Sequence, residues 1–288
     1  MKSRHILAFG TALLLSSACD NGSTDEPSAE REAQVQANPV DNATSSKEVA
    51  FVLGADWRVS VDDAVAELRS RDPELAEALY AMEPRSTRAG TARFTGPLVR
   101  HPIAAAVFLD RLTAGDGASS EVRAAFVEAL PRTTGPFGPA VTALLADESD
   151  AGVRMAMVAS LRTAEASSAL AGLELGLSDS DPTVRLTAAR TTARRTDGVE
   201  LESELLAAAA DADVRVKTQA IRTLGVLQIE GAKSQIEAEL SAQDAELRLS
   251  AVRALIRIDP AFAKSRVASL VADEDPRIAK AVRQALEG

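Results

Sequence analysis

Few residues of this chain can do chemistry. There is one Cys, Cys19, and there are two His, His5 and His101, among 288 residues. A lone thiol excludes an intramolecular disulfide framework and a multi-thiolate zinc site, since each needs several Cys. His101 stands before Pro102 at an expected helix start, where capping or packing is its natural role. No P-loop, G-x-S-x-G elbow, H-E-x-x-H or complete G-x-G-x-x-G occurs. The acid pairs Asp179/Asp181, Asp211/Asp213 and Asp273/Asp275 offer two carboxylates each, against the roughly six or more oxygens that Ca²⁺ takes. Their placement at helix caps accounts for them. No catalytic residue, no metal and no cofactor is expected.

What the residue types do offer is charge pairing by arginine. The formal net charge is −10, which argues against a nucleic-acid partner because phosphate affinity comes from clustered Lys and Arg. Arg nevertheless recurs in register. Aligning Val122, Val153, Val184, Val216, Leu247 and Ile278 gives spacings of 31, 31, 32, 31 and 31. Directly after these anchors stand Arg123, Arg154, Arg185, Lys217 and Arg248, and Ala279 ends the column. Six and ten places after the anchors, the third to fifth units carry Arg190, Arg194, Arg222, Arg253 and Arg257. Positions 6 and 10 are one helical turn apart and point away from the apolar stripe described next. Such Arg can grip a carboxylate or phosphate bidentately, or pair with local acids and stay solvated.

The elements that hold these columns follow from the same alignment. Three places before the anchors are Ser119, Asp150, Asp181, Asp213, Asp244 and Asp275, all good N-caps. Pro182 and Pro276 follow two of them at the first helical position, where a missing N–H costs nothing. Positions 0, 4 and 8 after each anchor are apolar or small and form one helical stripe. At position 7 the residues are small, Ala129, Ser160, Thr191, Thr223, Ala254 and Ala285, which lets helices approach closely. A shorter apolar pattern precedes each capped helix, for example Ala169 to Leu177. Two helices per ~31 residues, without alternating strand patterns, predict an all-α solenoid of about six helix pairs. Aromatics are 3% of the chain, so its core must be built from small and aliphatic side chains.

The period and the D-x-x-V-R-x-x-A-x-x-A-L signature resemble the HEAT-like repeats of the phycobilisome-lyase type, over residues 101–288. The resemblance implies that Arg123, Arg154, Arg185, Lys217 and Arg248 stack as a structural ladder, with Glu148, Asp179, Asp211 and Asp273 placed as acids of neighbouring turns. It also implies that the second helix of each pair lines the concave face, which would put the Arg190, Arg194, Arg222, Arg253 and Arg257 strip inside the superhelix, facing an acidic protein partner. The matched residues are packing and ladder positions, so no lyase activity is carried over. The expected function is a non-catalytic protein-binding scaffold; the alternative is a lyase-type maturation factor or enzyme accessory protein presenting a cofactor or peptide.

The N-terminal part reads as an address. Residues 1–18 have a basic start, Lys2 and Arg4, an apolar run from Ile6 to Leu15, and Ser16-Ser17-Ala18 before Cys19, the pattern of a secretory signal too short to span a bilayer permanently. Ala18-Cys19 resembles the lipobox of bacterial lipoproteins, which implies lipidation of Cys19 and anchoring to the envelope membrane, facing the periplasm. Ser16 stands where that pattern has Leu, and Ser16-x-Ala18 also suits ordinary cleavage, leaving a soluble periplasmic protein with a free thiol as the other reading. Asp20 resembles the residue that retains some Gram-negative lipoproteins on the inner membrane; inner or outer membrane stays open. Residues 19–48 hold the Cys and then a tether with seven acids and two bases, too polar to fold alone. Residues 49–100 lie outside the repeat and are expected to cap it: Ser60 caps a helix through Leu68, Asp72-Pro73 starts another through Met82, Trp57 packs the segment on the first repeat, and Arg85 to Arg100, with four Arg and no acid, forms a solvated loop.

Overall fold

In a computed structural model the chain is described over residues 51–86, 92–114 and 117–287; the signal, Cys19, the tether and Arg88 lie outside these residues. The array begins with α1 (Trp57–Arg71) and α2 (Pro73–Tyr80), then two short antiparallel strands, β1 (Arg85–Ser86) and β2 (Ala92–Arg93). Six helix pairs follow: α3 (Ala104–Thr113) with α4 (Ser120–Ala129), α5 (Gly138–Leu145) with α6 (Ala151–Ser160), and α7 (Ala166–Leu177) with α8 (Pro182–Thr192). Then come α9 (Glu202–Ala208) with α10 (Val214–Val226), α11 (Lys233–Ala238) with α12 (Ala245–Ile258), and α13 (Pro260–Val267) with α14 (Pro276–Glu287). The described chain is therefore an all-α solenoid. None of its described helices is long and apolar enough to cross a membrane.

The caps close as chemistry requires. Asp150 and Asp244 accept from the Val153 and Leu247 N–H groups at 3.0 and 2.8 Å, while Asp181 and Asp213 accept from Thr183 and Arg215 at 2.7 and 2.8 Å. The 0/4/8 stripe is buried through the middle units, with Val184, Ala188, Thr192, Val216, Ala220 and Leu224 all at 0% exposure. It opens at its last position, Leu286, which is 40% exposed because no described helix packs beyond α14. Position 7 sits at the seams. Thr223 Oγ1 donates to the Ala189 carbonyl at 2.8 Å, tying α10 to α8. Beside it, a Cβ on Gly225 would lie 2.7 Å from Ala254 Cα, so α10 and α12 touch backbone to backbone.

The layers differ in spacing. Successive second helices, α4, α6, α8, α10, α12 and α14, pack on one another throughout, whereas successive first helices of the pairs pack extensively only between α5 and α7. The second helices therefore form the continuous layer of the array, the one that the HEAT-like resemblance places on the inside.

The N-terminal segment departs from expectation in two places. Helix α1 is capped by Asp56, whose carboxylate accepts from Arg58 and Val59 at 2.9 and 3.4 Å. Ser60 lies inside the helix instead; its hydroxyl donates to the Asp56 carbonyl at 2.8 Å and accepts from Gly54 N–H at 2.9 Å. The stretch 85–100 is more than a solvated loop. Its β1–β2 pairing leads to Phe94, fully buried, whose ring lies 5.1 Å from Phe108 and 4.7 Å from Phe126. That aromatic cluster, rather than Trp57 alone, joins the capping segment to the first pair. Arg111 reinforces the joint by donating to the Tyr80 and Met82 carbonyls at 3.1 and 2.7 Å, with its guanidinium 4.6 Å from the Phe126 ring centre.

Candidate functional site

Two sets of arginines leave the second helices in different directions. In the first, Arg123 Nε and Nη2 donate to Glu148 at 3.1 and 2.9 Å. Arg154 grips Asp179 at 2.8 and 2.9 Å, Arg185 grips Asp211 at 2.7 and 3.0 Å, and Arg248 grips Asp273 at 3.1 and 3.1 Å. Each acid also accepts from the N–H of the next cap residue: Asp150, Asp181 and Asp213 at 2.8 Å, Asp275 at 2.9 Å. One carboxylate thus ties an Arg of one unit to the helix start of the next. Asp211 and Asp273 are held below the usual carboxylate range by these Arg first, with burial opposing. For Glu148 and Asp179 burial pushes upward, but the paired Arg and the backbone N–H outweigh it.

Lys217 differs. The acid position two places before the cap is Ala242 in that unit, and Lys217 Nζ reaches Glu239 instead, at 3.1 Å. The acid pairs considered for calcium are taken up by this ladder and by the caps; among the described residues no group of three or more His, Cys, Asp or Glu gathers as a metal site. His101 Nδ1 accepts from the Ile103 N–H at 3.3 Å.

The second set stands on the solvent side of the second-helix layer. Arg222 is occupied within the array: its Nε donates to Ser250 Oγ at 2.9 Å and its Nη2 pairs with Glu246. The other oxygen of Glu246 accepts from Arg277 at 2.9 Å, so one carboxylate links α10, α12 and α14. Arg190, Arg194, Arg253 and Arg257 pair through their guanidinium groups with no described residue. Between α12 and α14 lies a groove of about 590 Å³ lined by Arg253, Arg257, Arg277 and Lys280, with Ile256 and Ala281 as apolar floor and no described acid in its wall. A smaller depression of about 460 Å³ lies over α6, between Glu121 and Glu128 on one side and Arg190 on the other.

Sequence reasoning did not single out Arg277 and Lys280, which stand one place before and two places after the last anchor. Arg215 is the one other base in those two columns, so no repeat of charge marked them. It also passed over Arg195, which is nearly buried, pairs with Asp197 at 2.7 Å and donates to the Leu161 carbonyl of the preceding unit at 2.7 Å.

The chain matches no protein family model and no curated protein. Among solved structures, it is similar to an engineered protein of the Northeast Structural Genomics Consortium at 19% identity and TM-score 0.46, over 63% of this chain and 94% of that one. A designed armadillo repeat protein aligns at 17% identity and TM-score 0.45, over 63% and 98%. Cex1p aligns at 17% identity and TM-score 0.48, over 81% of this chain and 54% of its own. The architecture given above rests on the packing of this chain, independent of those likenesses.

Proposed function

We propose that this chain is a non-catalytic scaffold, tethered to the bacterial envelope by a lipid on Cys19 and facing the periplasm, that holds an acidic protein on its inner face. The observation that carries the reading is the α12–α14 groove, where Arg253, Arg257 and Lys280 pair with no described acid in a chain of net charge −10, beside an Arg277 already held by Asp275 and Glu246. Arg253 and Arg257 are i,i+4 neighbours of like charge within α12, an arrangement that weakens a helix by a few tenths of a kcal/mol. Packing demands no charge there, and an anionic ligand relieves the repulsion. A carboxylate-bearing protein suits it better than a nucleic acid, because a long polyanion would also meet the acid surplus of the remaining surface. The anchor is supported by the basic start, the apolar run and the single Cys after Ala18.

Co-purification from crosslinked membranes tests both parts. Wild-type protein is expected in the membrane fraction with a partner that is lost as salt rises, since exposed charges are screened beyond about 8–10 Å at physiological ionic strength. Arg253→Glu with Arg257→Glu is expected to lose the partner while shifting stability by no more than about 0.5 kcal/mol. Cys19→Ala is expected to be unprocessed or released. Undiminished recovery by the charge-reversed protein contradicts the binding face, and a mature N-terminus with an unmodified Cys19 thiol contradicts the anchor.

A further inference from the structure

The inner face is electrically uneven along its length. At its α12–α14 end three cations, Arg253, Arg257 and Lys280, pair with no described acid, whereas the depression over α6 is walled on the α4 side by Glu121 and Glu128. Glu121 pairs with no described residue, while Glu128 has a 3.7 Å contact with the exposed Arg93 and lies within the field of Arg132. The floor of that depression is Gly152, Ala156 and Ala159, none reaching beyond Cβ, and Met155 stands beside it 40% exposed. An apolar side chain fits on such a floor, and a cation beside it would answer the two glutamates. Helix neighbours pack 8–10 Å apart, so the depression over α6 and the α12–α14 groove are separated by about three helix spacings, roughly 30 Å. On the far side of the depression stand Arg190, on α8, and Arg194, in the turn after α8, both unpaired with described residues, so the stretch that leads on from there tolerates acids and disfavours bases.

We propose that these two features are the ends of one docking track for a single extended protein segment. Its acidic end lies in the α12–α14 groove. About 30 Å further on, some nine extended residues, an apolar side chain flanked by Lys or Arg sits over α6 against Glu121 and Glu128. The proposal rests on the reading of the inner face as the partner-binding surface and adds the partner's charge order and its direction along the array. Two separate weak contacts on one segment reinforce each other, because binding of the first raises the local concentration of the second.

Fluorescence anisotropy on the full chain with three labelled synthetic peptides tests it. One peptide carries about four glutamates and a Gly-Ser tail. The second adds Leu-Lys-Leu-Lys after a spacer of about nine residues, and the third has the same composition with the Leu-Lys block directly beside the glutamates. The second is expected to bind at least about tenfold tighter than the first, and the third no tighter than the first. Glu121→Gln with Glu128→Gln is expected to bring the second peptide down to the first while leaving the first unchanged; circular dichroism confirms the fold. A second peptide no tighter than the first, a gain that survives in the glutamine variant, or an equal gain in the third peptide overturns the docking track and leaves the binding face standing. A glutamate peptide that fails to bind, or that ignores Arg253→Glu with Arg257→Glu, overturns the binding face itself and the track with it.

Discussion

Leu224→Ala is expected to cost this protein more stability than any substitution on its surface, at the upper part of the usual 2–5 kcal/mol range for a buried leucine. Leu224 is fully buried at position 8 of α10. The size of such a loss depends on how far the surroundings collapse into the cavity, and here they cannot collapse by helix movement. Gly225 already brings α10 into backbone contact with Ala254 of α12, and Thr223 fixes the other side to α8 through the Ala189 carbonyl. The void therefore persists. Because a solenoid is stabilised by unit terms and nearest-neighbour interfaces, the damage should spread to the pairs on either side. Denaturant unfolding followed by circular dichroism measures it, with hydrogen exchange expected to accelerate first from α9 to α12. A loss below about 0.5 kcal/mol, the scale of an exposed substitution, would contradict this packing.

Asp179→Ala should have the next largest effect. It removes the bidentate acceptor of Arg154 and the acceptor of the Asp181 N–H together. The Arg154 and Asp179 side chains are only 13% and 10% exposed, so the stranded guanidinium is poorly rehydrated. Hydrogen bonds to charged groups are worth about 1.5–3 kcal/mol, and breaking a fully buried pair costs about 3–5; partial exposure places this loss near 2–3 kcal/mol. Adding Arg154→Ala should cost less than the sum of the single losses, since the unpaired charge disappears. The pH dependence has a definite sign. The ladder carboxyls are depressed in the folded state, so their contribution is complete above the ordinary carboxylate range and is lost as pH falls through the folded values. Asp213 and Asp275, each held at about 2 first by hydrogen bonding to Arg215 and Arg277, carry the window down. Wild-type stability should fall between roughly pH 4 and pH 2, and Asp179→Ala should fall less steeply there. Equal acid slopes would contradict the role given to this carboxylate.

The regular part of this molecule was legible because its constraints are local. A cap residue, an anchor three places on and an apolar stripe at helical spacing define each second helix, and these recur from Ser119 to Asp275 without help from distant residues. The ladder was legible as columns, but its pairings depend on the turns between helices. Lys217 reaches Glu239 because Ala242 vacates the acid position, and the corresponding places of the neighbouring units, Gly176, Ala208 and Leu270, carry no acid that would have pointed to it. Asp56 rather than Ser60 caps α1 because both residue types suit a cap, and only the start of the helix decides between them. Phe94 was hidden in a basic stretch that carries no repeat. On the inner face, Arg222 belongs with Glu246 and Ser250 of the next helix, a contact made across units that no single-unit reading contains. Arg277 and Lys280 were missed for a related reason: the groove they complete is made by two helices 31 residues apart, and their columns hold only one other base, Arg215.

Site-specific photo-crosslinking tests the central claim most directly. A benzoylphenylalanine at Gln284, in the inner groove, is compared with one at Ser265, exposed on α13 of the outer layer. A protein adduct is expected from Gln284 and not from Ser265, and it should vanish when Arg253 and Arg257 are changed to Glu. An adduct from Ser265 alone, or one from Gln284 that persists through the charge reversal, would contradict an acidic partner held on the inner face.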